Sequence, residues 1–422
     1  MAQGMESRGS AVVIIEGQRY DKFLSLTLKR SIEEGTCSGT VVLSWPGAEA
    51  FNISSAVAPA FSAGAEGEII LDGQTAGKVI FDTRISKGTS KHYELTLQFR
   101  GQASELVDSS PDHESGQFNR QKPAQIIRAM MQGFKTQLQE KGGGSAQQAE
   151  RFIIAEGETI ERAARRCARE YGLLLYENPE GNWVLASELG MGGGGRLEIG
   201  RDFTQWSVKA DIVPRFTKLG MVGTGIPTDD KYGGGQQGTE QIWNQAQGMM
   251  GGGGGGMANR MLRVLVDGDH TKQSIEKRGK FEQQRRSSSG LNVTLKTATW
   301  TDEGGQLWEV AKSYHVKIPV DQVDDDCKLT EVEFELTPDS RSATLVLTSE
   351  NAWGGGGPEN VLGTANAGKG SVLYDAPVGP QQPSEPTAPQ TPPPPAPPEV
   401  AAPSAYTPSG TAIRRLLGLP TS

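Results

Sequence analysis

The sequence predicts a mainly β fold with an α+β insert: two small β-barrels, a helix-hairpin domain between them, and a disordered Pro-rich tail. Three observations carry this. The first hundred residues alternate apolar and polar in the strand period, and the pattern returns late in the chain. Between them lie helix signals followed by a hairpin signal. Beyond Trp353 the composition collapses into Gly and then Pro.

Ala11 to Glu16 (AVVIIE), Phe23 to Leu28 (FLSLTL) and Thr40 to Ser44 (TVVLS) are β-rich runs separated by breakers. Gly67 to Ser110 is the most informative stretch. It combines strand chemistry with a tight Asp72-Gly73 turn and ends in Arg100-Gly101 followed by Glu105-Leu106-Val107-Asp108. From Tyr93 to Phe99 (YELTLQF) every second residue is apolar, the mark of a half-buried antiparallel strand. Residues 1–110 are therefore read as the first barrel.

Residues 111–195 are read as the helix-hairpin domain. Pro123 to Gly133 has Pro at a helix start and Gly at its end, with Ile126, Ile127, Met130 and Phe134 on one face. A second helix runs from about Thr159 to Tyr171, with Ile160, Ala164, Cys167 and Tyr171 on one side and Gly172 placed to cap it. Leu173 to Tyr176 and Trp183 to Leu185, joined by a Pro-Glu-Gly-Asn turn, read as a hairpin.

Strands return from Arg196. The second barrel is assigned to 196–225 and 288–353, including the alternating Glu331 to Leu336, and is split by a Gly-rich insertion at 226–287. The tracts Gly233 to Gly235 and Gly251 to Gly256 are expected to be mobile loops. A polar helix is expected from about Thr271 to Arg286. Residues 354–422 form a Gly/Pro-rich tether. Thr391 to Pro398 favours polyproline II, and the segment from Asp375 to Gly410 spans on the order of 100 Å if fully extended. A short apolar-basic tag follows: Ile413, Arg414, Arg415, Leu416, Leu417 and Leu419.

Composition narrows the function. A net charge of -8 argues against a protein whose main task is gripping nucleic acid, and would suit a surface past which a polyanion slides. Cys37, Cys167 and Cys327 have no metal-type spacing and are expected to be reduced thiols of a cytoplasmically made protein. No apolar run approaches the roughly 20 residues a membrane span needs, and no signal-peptide pattern is present, so a soluble protein is expected.

In order along the chain, several blocks resemble the Mu-type phage tail baseplate hub family (the late control protein D family), whose fold is shared by the central hub of T-even phages and the hub part of type VI secretion spikes. Glu16 to Tyr20 is similar to the family's opening; Gly67 to Gly73 with Gly77 and Asp82 to its barrel hairpin. Gly101 with Glu105 to Asp108 is similar to its junction motif, here in a looser version through Gln102 and Ala103. Gly116 to Phe118 and Gln125 to Ile127 resemble the entry to its helical domain. Gly157 to Thr159, Gly172 to Leu175 and Gly181 to Leu185 form a further block, as do Lys277-Arg278, Phe281-Glu282, Trp300, Gly305 to Trp308 and Asp324 to Leu336. The glycine tracts, the shorter insertion and the Pro-rich tail depart from the family.

The resemblance implies a structural, non-enzymatic protein of the virion tail baseplate, assembled in the host cytoplasm. It implies a homotrimer whose paired tube-like barrels make a pseudo-six-fold ring. The ring would join a hexameric tail tube or distal tail protein to a trimeric spike protein, beside other baseplate proteins, and leave a channel for DNA. The alternatives are the hub of a tailocin or type VI-like injection device and, from another class, a protein that binds or degrades peptidoglycan.

The residue-level readings add no catalytic, cofactor or metal site. Gly157-Glu158-Thr159-Ile160 also resembles the opening of a LysM glycan-binding module, but a hairpin follows where a second helix is needed. Asp321 and Asp324 to Asp326 lack the ligand spacing of a Ca²⁺ loop and read as a solvated strand lead-in or channel lining. His92, His113, His270 and His315 are scattered without triad or metal spacing. Arg162, Arg165, Arg166 and Arg169, interleaved with Glu158, Glu161 and Glu170, read as a salt-bridged outer face. The C-terminal tag is expected to dock on a neighbouring tail protein, with the Pro-rich segment as tether.

Overall fold

The computed structural model describes residues 11–46, 61–89, 91–113, 115–142, 148–186, 193–210, 218–225, 240–245, 261–270, the helical positions 275, 278, 279, 282, 285 and 286, and then 290–321 and 323–349. The glycine tracts at 233–235 and 251–256, the Pro-rich segment and the tag at 413–419 lie outside the described residues.

The first region is seven antiparallel strands: β1 (Ala11–Ile15), β2 (Gln18–Tyr20), β3 (Ser25–Ser31), β4 (Ser38–Pro46), β5 (Ala65–Leu71), β6 (Gln74–Thr89) and β7 (His92–Gly101). They pair in the order β3-β4-β7-β6-β5-β1-β2. The expected alternation is present, with Leu95, Leu97 and Phe99 of β7 all buried. The β5–β6 connection is the Asp72-Gly73 turn, both residues at positive φ (47° and 78°), as a two-residue turn matched to strand twist requires.

Next come α1 (Ser104–Asp108), β8 (Gln117–Gln121), α2 (Pro123–Met130), β9 (Leu138–Lys141), β10 (Ala149–Ile153), α3 (Ile160–Glu170), β11 (Leu174–Glu177) and β12 (Trp183–Ala186). Pro123 opens α2, and the Lys122 N–H donates to the Gln125 side chain at 3.0 Å. Thr159 caps α3, accepting from the Arg162 N–H at 3.4 Å. β11 and β12 form the expected hairpin, and β9 adds to it in parallel. Both hairpin strands are buried throughout, because their two faces serve two cores. Leu174, Tyr176, Val184 and Ala186 join the core of the large sheet. Leu175, Trp183 and Leu185 join the core of the helices. That double burial explains the unbroken apolar run Leu173 to Tyr176.

The last region holds β13 (Gly193–Glu198), β14 (Gln205–Ala210), β15 (Lys218–Gly225), β16 (Glu240–Gln245), β17 (Met261–His270), β18 (Leu291–Thr297), β19 (Ser313–Ile318), β20 (Val323–Leu336) and β21 (Arg341–Ser349). β20 is the hinge of the architecture. Its first half pairs with β19, its second half with β3 of the first region, and β21 runs along its other edge. A register shift between Leu329 and Glu331 marks the change of partner. Through this strand the two β regions join in one 13-stranded sheet, and its pairings close no ring among the described residues.

Two findings differ from a plain reading of the strand pattern, one in partner and one in boundary. β15, grouped by sequence with the late strands, pairs with β16 and β17 instead, in a five-stranded sheet that continues through β10 to β8. Alternation identifies a strand but carries no information on its neighbour. The run from Trp308 to Ile318 becomes a strand only from Ser313. Before it the chain turns at Ala311 (φ 74°), and the Trp308 indole donates to the Thr299 carbonyl at 2.8 Å. No helix among the described residues is long and apolar enough to cross a membrane.

Candidate functional site: a buried carboxylate at the domain junction

The motif that stands out in sequence, Arg100-Gly101 to Asp108, lies where the first β region passes into the helices. Arg100 at the end of β7 forks onto Asp108 of α1 at 2.6 and 3.0 Å and reaches Asp82 of β6 at 2.5 Å. That bidentate pair pins α1 against the sheet and holds the Asp108 carboxyl below the usual carboxylate range. Leu106, fully buried, fills the space beneath. The Ile160 N–H then donates to the Ser109 carbonyl at 2.8 Å, so α3 starts from the end of α1.

Gly101 has a different role. A methyl group there would overlap the carboxylate of Glu177, which arrives from the end of β11. Glu177 is 5 % exposed. It accepts from the Cys37 N–H at 2.6 Å on one oxygen and from the Ala103 N–H at 3.0 Å on the other. One side chain thus satisfies backbone donors from the β3–β4 connection and from the junction. Burial raises the Glu177 carboxyl above its ordinary value, against the two N–H donors and the nearby Arg30 guanidinium, which favour the charged form. Arg30 is itself 5 % exposed and donates to the Ala76 carbonyl. The Cys37 thiol is pushed well up by burial and by Glu177, which makes it inert rather than nucleophilic.

Backbone contacts extend the seam. The Lys78 N–H donates to the Pro179 carbonyl at 3.1 Å, and the Gln102 N–H to the Lys78 carbonyl at 3.0 Å. The Trp183 indole donates to the Gly35 carbonyl at 2.8 Å from a fully buried position. The Cys37 thiol itself lies against the Glu177 carboxylate, in a buried setting that keeps the thiol protonated. The contacts lock the helix-hairpin unit to the β region.

The other singled-out residues fall elsewhere. Cys37, Cys167 and Cys327 are all buried and free. Of the α3 arginines, Arg165 pairs with Glu161, and Arg166 with Glu158 at 2.7 Å while stacking on Phe152 at 4.5 Å. With Arg165 only 11 % exposed, this face is less open than a solvated outer face. Asp321 accepts from the Trp206 indole at 2.7 Å. His315 lies between Asp326 (2.9 Å) and Asp324 (2.8 Å), and these carboxylates raise its pKa above 6.5. Among the described residues no group of three or more His, Cys, Asp or Glu side chains is placed to hold a metal ion.

Residues 103–187, which begin at the Ala103 that donates to Glu177 and run to the residue after β12, match the family model described as baseplate hub protein gp44-like, second domain. This stretch is similar to a gp44-like hub second domain. Around it, the fold is similar to the 43 kDa tail protein of prophage MuSo2 from Shewanella oneidensis: TM-score 0.68, 20 % identity, covering 82 % of this chain and 99 % of that one. It is also similar to a tail protein from Neisseria meningitidis MC58, with TM-score 0.66, 17 % identity and coverage of 82 % and 98 %. An Escherichia coli component of the type VI secretion system matches at TM-score 0.51 and 8 % identity, over 80 % of this chain and 76 % of that one. No curated protein matches the chain in sequence. The hub-type resemblance seen in the ordered sequence blocks thus has its counterpart in a matched second domain and in a tail-protein fold.

The seam clamps the matched stretch at its first residue, Ala103. Its central residue, Glu177, was not legible in sequence: beside a Pro-Glu-Gly-Asn turn it has the appearance of a solvated loop carboxylate. Gly101 was legible as part of the motif, but the reason for it was not.

Proposed function

We propose that this protein is the structural hub of a phage tail baseplate, a homotrimer that joins a hexameric tube to a trimeric spike and leaves a passage for DNA. The observation that carries this reading is the hydrogen-bonded pairing of two β regions through β20 and β3. A chain with two side-by-side β units, repeated three times, offers six similar units to one partner and three to the other, which is what joining six-fold and three-fold neighbours requires. In this reading each β region curls into a tube-like barrel, 1–110 and 196–210 with 288–353. The helix-hairpin domain at 111–195 braces the outside, and β15 belongs with the insertion.

The protein is read as non-enzymatic and resident in the virion tail. The tag at 413–419 is its docking peptide on a neighbouring tail protein; unchanged co-purification with that neighbour after deletion of residues 411–422 would remove this part. Light scattering on the purified chain, alone and with its spike, tests the core of the proposal. Three chains of 45.1 kDa each is the expected mass in at least one condition. A monomer in both conditions refutes it. The likeness to a type VI component favours a second reading, the hub of a contractile injection device; a tail sheath encoded beside the gene and assembled with the protein would decide for it.

A further inference from the structure

One side chain away from the Glu177 seam makes more hydrogen bonds than a neutral imidazole allows. His315, on β19, is 38 % exposed, with its Nδ1 2.9 Å from a carboxylate oxygen of Asp326 and its Nε2 2.8 Å from one of Asp324. An ionised carboxylate only accepts, and a neutral imidazole carries one N–H. Holding both carboxylates at these distances therefore requires the imidazolium.

Strand register builds the contact. Asp326 is directly across from His315 in the antiparallel β19–β20 pair, and Asp324 is across from Lys317, two residues along on the same face. On the other side of β19, Arg196 of β13 is level with His315 and Glu198 with Lys317. Arg196 and Glu198 pair with each other at 2.8 Å, so the charges of that strand are matched. By alternation the next residue of β20 on this face is Lys328, which is buried and opposite Ser313. Asp325, on the other face, accepts from the Asp326 N–H at 2.9 Å. The cations around His315 are thus Arg196, Lys317 and Lys328, and the ring itself is held by the two aspartates.

The contact sits on a lightly tied strand end. Among the described residues, Val323 to Asp326 pair with β19 alone, because β21 joins β20 at Cys327 and β3 joins it at Glu331. The connection from β19 includes a short 3₁₀ turn, Pro319–Asp321, whose Val320 is 79 % exposed.

We propose that His315, as imidazolium, is a proton-operated clasp on the β19–β20 hairpin. With its proton it bridges the two aspartates. Once the proton leaves to solvent, one ring nitrogen presents a lone pair to a carboxylate, that hydrogen bond is lost, and the strand end opens more often. The hydrogen bonds to Asp326 and Asp324 hold the His315 pKa above its ordinary 6.5. The clasp therefore contributes fully below pH 6.5 and is released as pH rises through the folded value. It concerns only β13, β19 and β20, and stands or falls apart from the hub reading.

Amide hydrogen exchange of the full-length protein tests it at about pH 6 and about pH 9, corrected for the intrinsic pH dependence of exchange. Peptides from β19 and the first half of β20 are compared with peptides from β4 and β7. Expected is a loss of protection of about three- to ten-fold at the higher pH relative to β4 and β7, the scale of one partly exposed charge-assisted hydrogen bond. His315→Gln keeps a donor that does not titrate, and is expected to show the lower protection at both pH values. His315→Lys, a fixed cation, is expected to remove the step as well. The proposal is overturned if the wild-type peptides show no step, if the step persists in either variant, or if β4 and β7 lose protection equally.

Discussion

The first β region is joined to the rest of the molecule in two ways, and the two joints are built on opposite principles. At β3–β20 the connection is a backbone ladder, six residues in register from Leu26 opposite Leu336 to Ser31 opposite Glu331. Outward side chains at that joint, such as Lys29 and Glu331 at 3.1 Å, only decorate it. At the seam with the helix-hairpin unit, a single buried carboxylate holds two backbone donors, and a glycine is left bare to admit it. A ladder distributes its stability over many groups, whereas the Glu177 clamp concentrates it in one side chain. The difference is therefore one of sensitivity to point substitution.

Glu177→Ala breaks the comparison most directly. It leaves the Cys37 and Ala103 N–H groups and the Arg30 guanidinium buried without their anion, and the expected loss is about 3–5 kcal/mol in chemical denaturation. Gly101→Ala drives a methyl group into the same carboxylate. It is expected to cost about 1–3 kcal/mol, and much less in a Glu177→Ala background, so a double-mutant cycle should show strong coupling. Additive costs would mean that Gly101 is needed for its backbone alone.

Glu177→Gln sharpens the comparison through pH. Because the folded-state pKa is raised, the folded protein binds this proton more tightly than the unfolded chain does. The associated stability is fully present below the unfolded value of 4.5 and is lost as pH rises through the folded pKa. The variant should abolish that decline while costing about 1–3 kcal/mol at acid pH, since one amide donor now faces a backbone N–H. An unchanged pH profile from 4.5 upward would assign the decline to another group.

His315 is a control outside both joints. Its pKa is raised by the hydrogen bonds its ring donates to Asp326 and Asp324, so its contribution is present below pH 6.5 and fades as pH rises through the folded pKa. An NMR titration should place it above 6.5, and Asp326→Asn should bring it down. The smallest effect is expected at the ladder: Lys29→Ala removes exposed ion pairs with Glu34 and Glu331 and should cost under about 1 kcal/mol. A loss there comparable to that of Glu177→Ala would erase the distinction between the joints.

The sequence by itself determined the elements whose physics is local. The alternation of β7, the Asp72-Gly73 turn, the Pro123 and Thr159 helix starts and the α3 apolar face were all legible. Each rests on a side-chain period, a cap or a positive φ within a few residues. The short strands β8 and β10 were not, because one Phe in Gln117–Gln121 gives no alternation to read. Tertiary structure alone decided that β20 serves two partners, that β15 belongs with β16 and β17, and that Glu177 is a buried clamp. Strand partnership and burial are set by groups far apart in the chain, 140 residues apart in the case of Cys37 and Glu177. No local pattern encodes the dielectric surroundings that turn a carboxylate beside a turn into the lock between two domains.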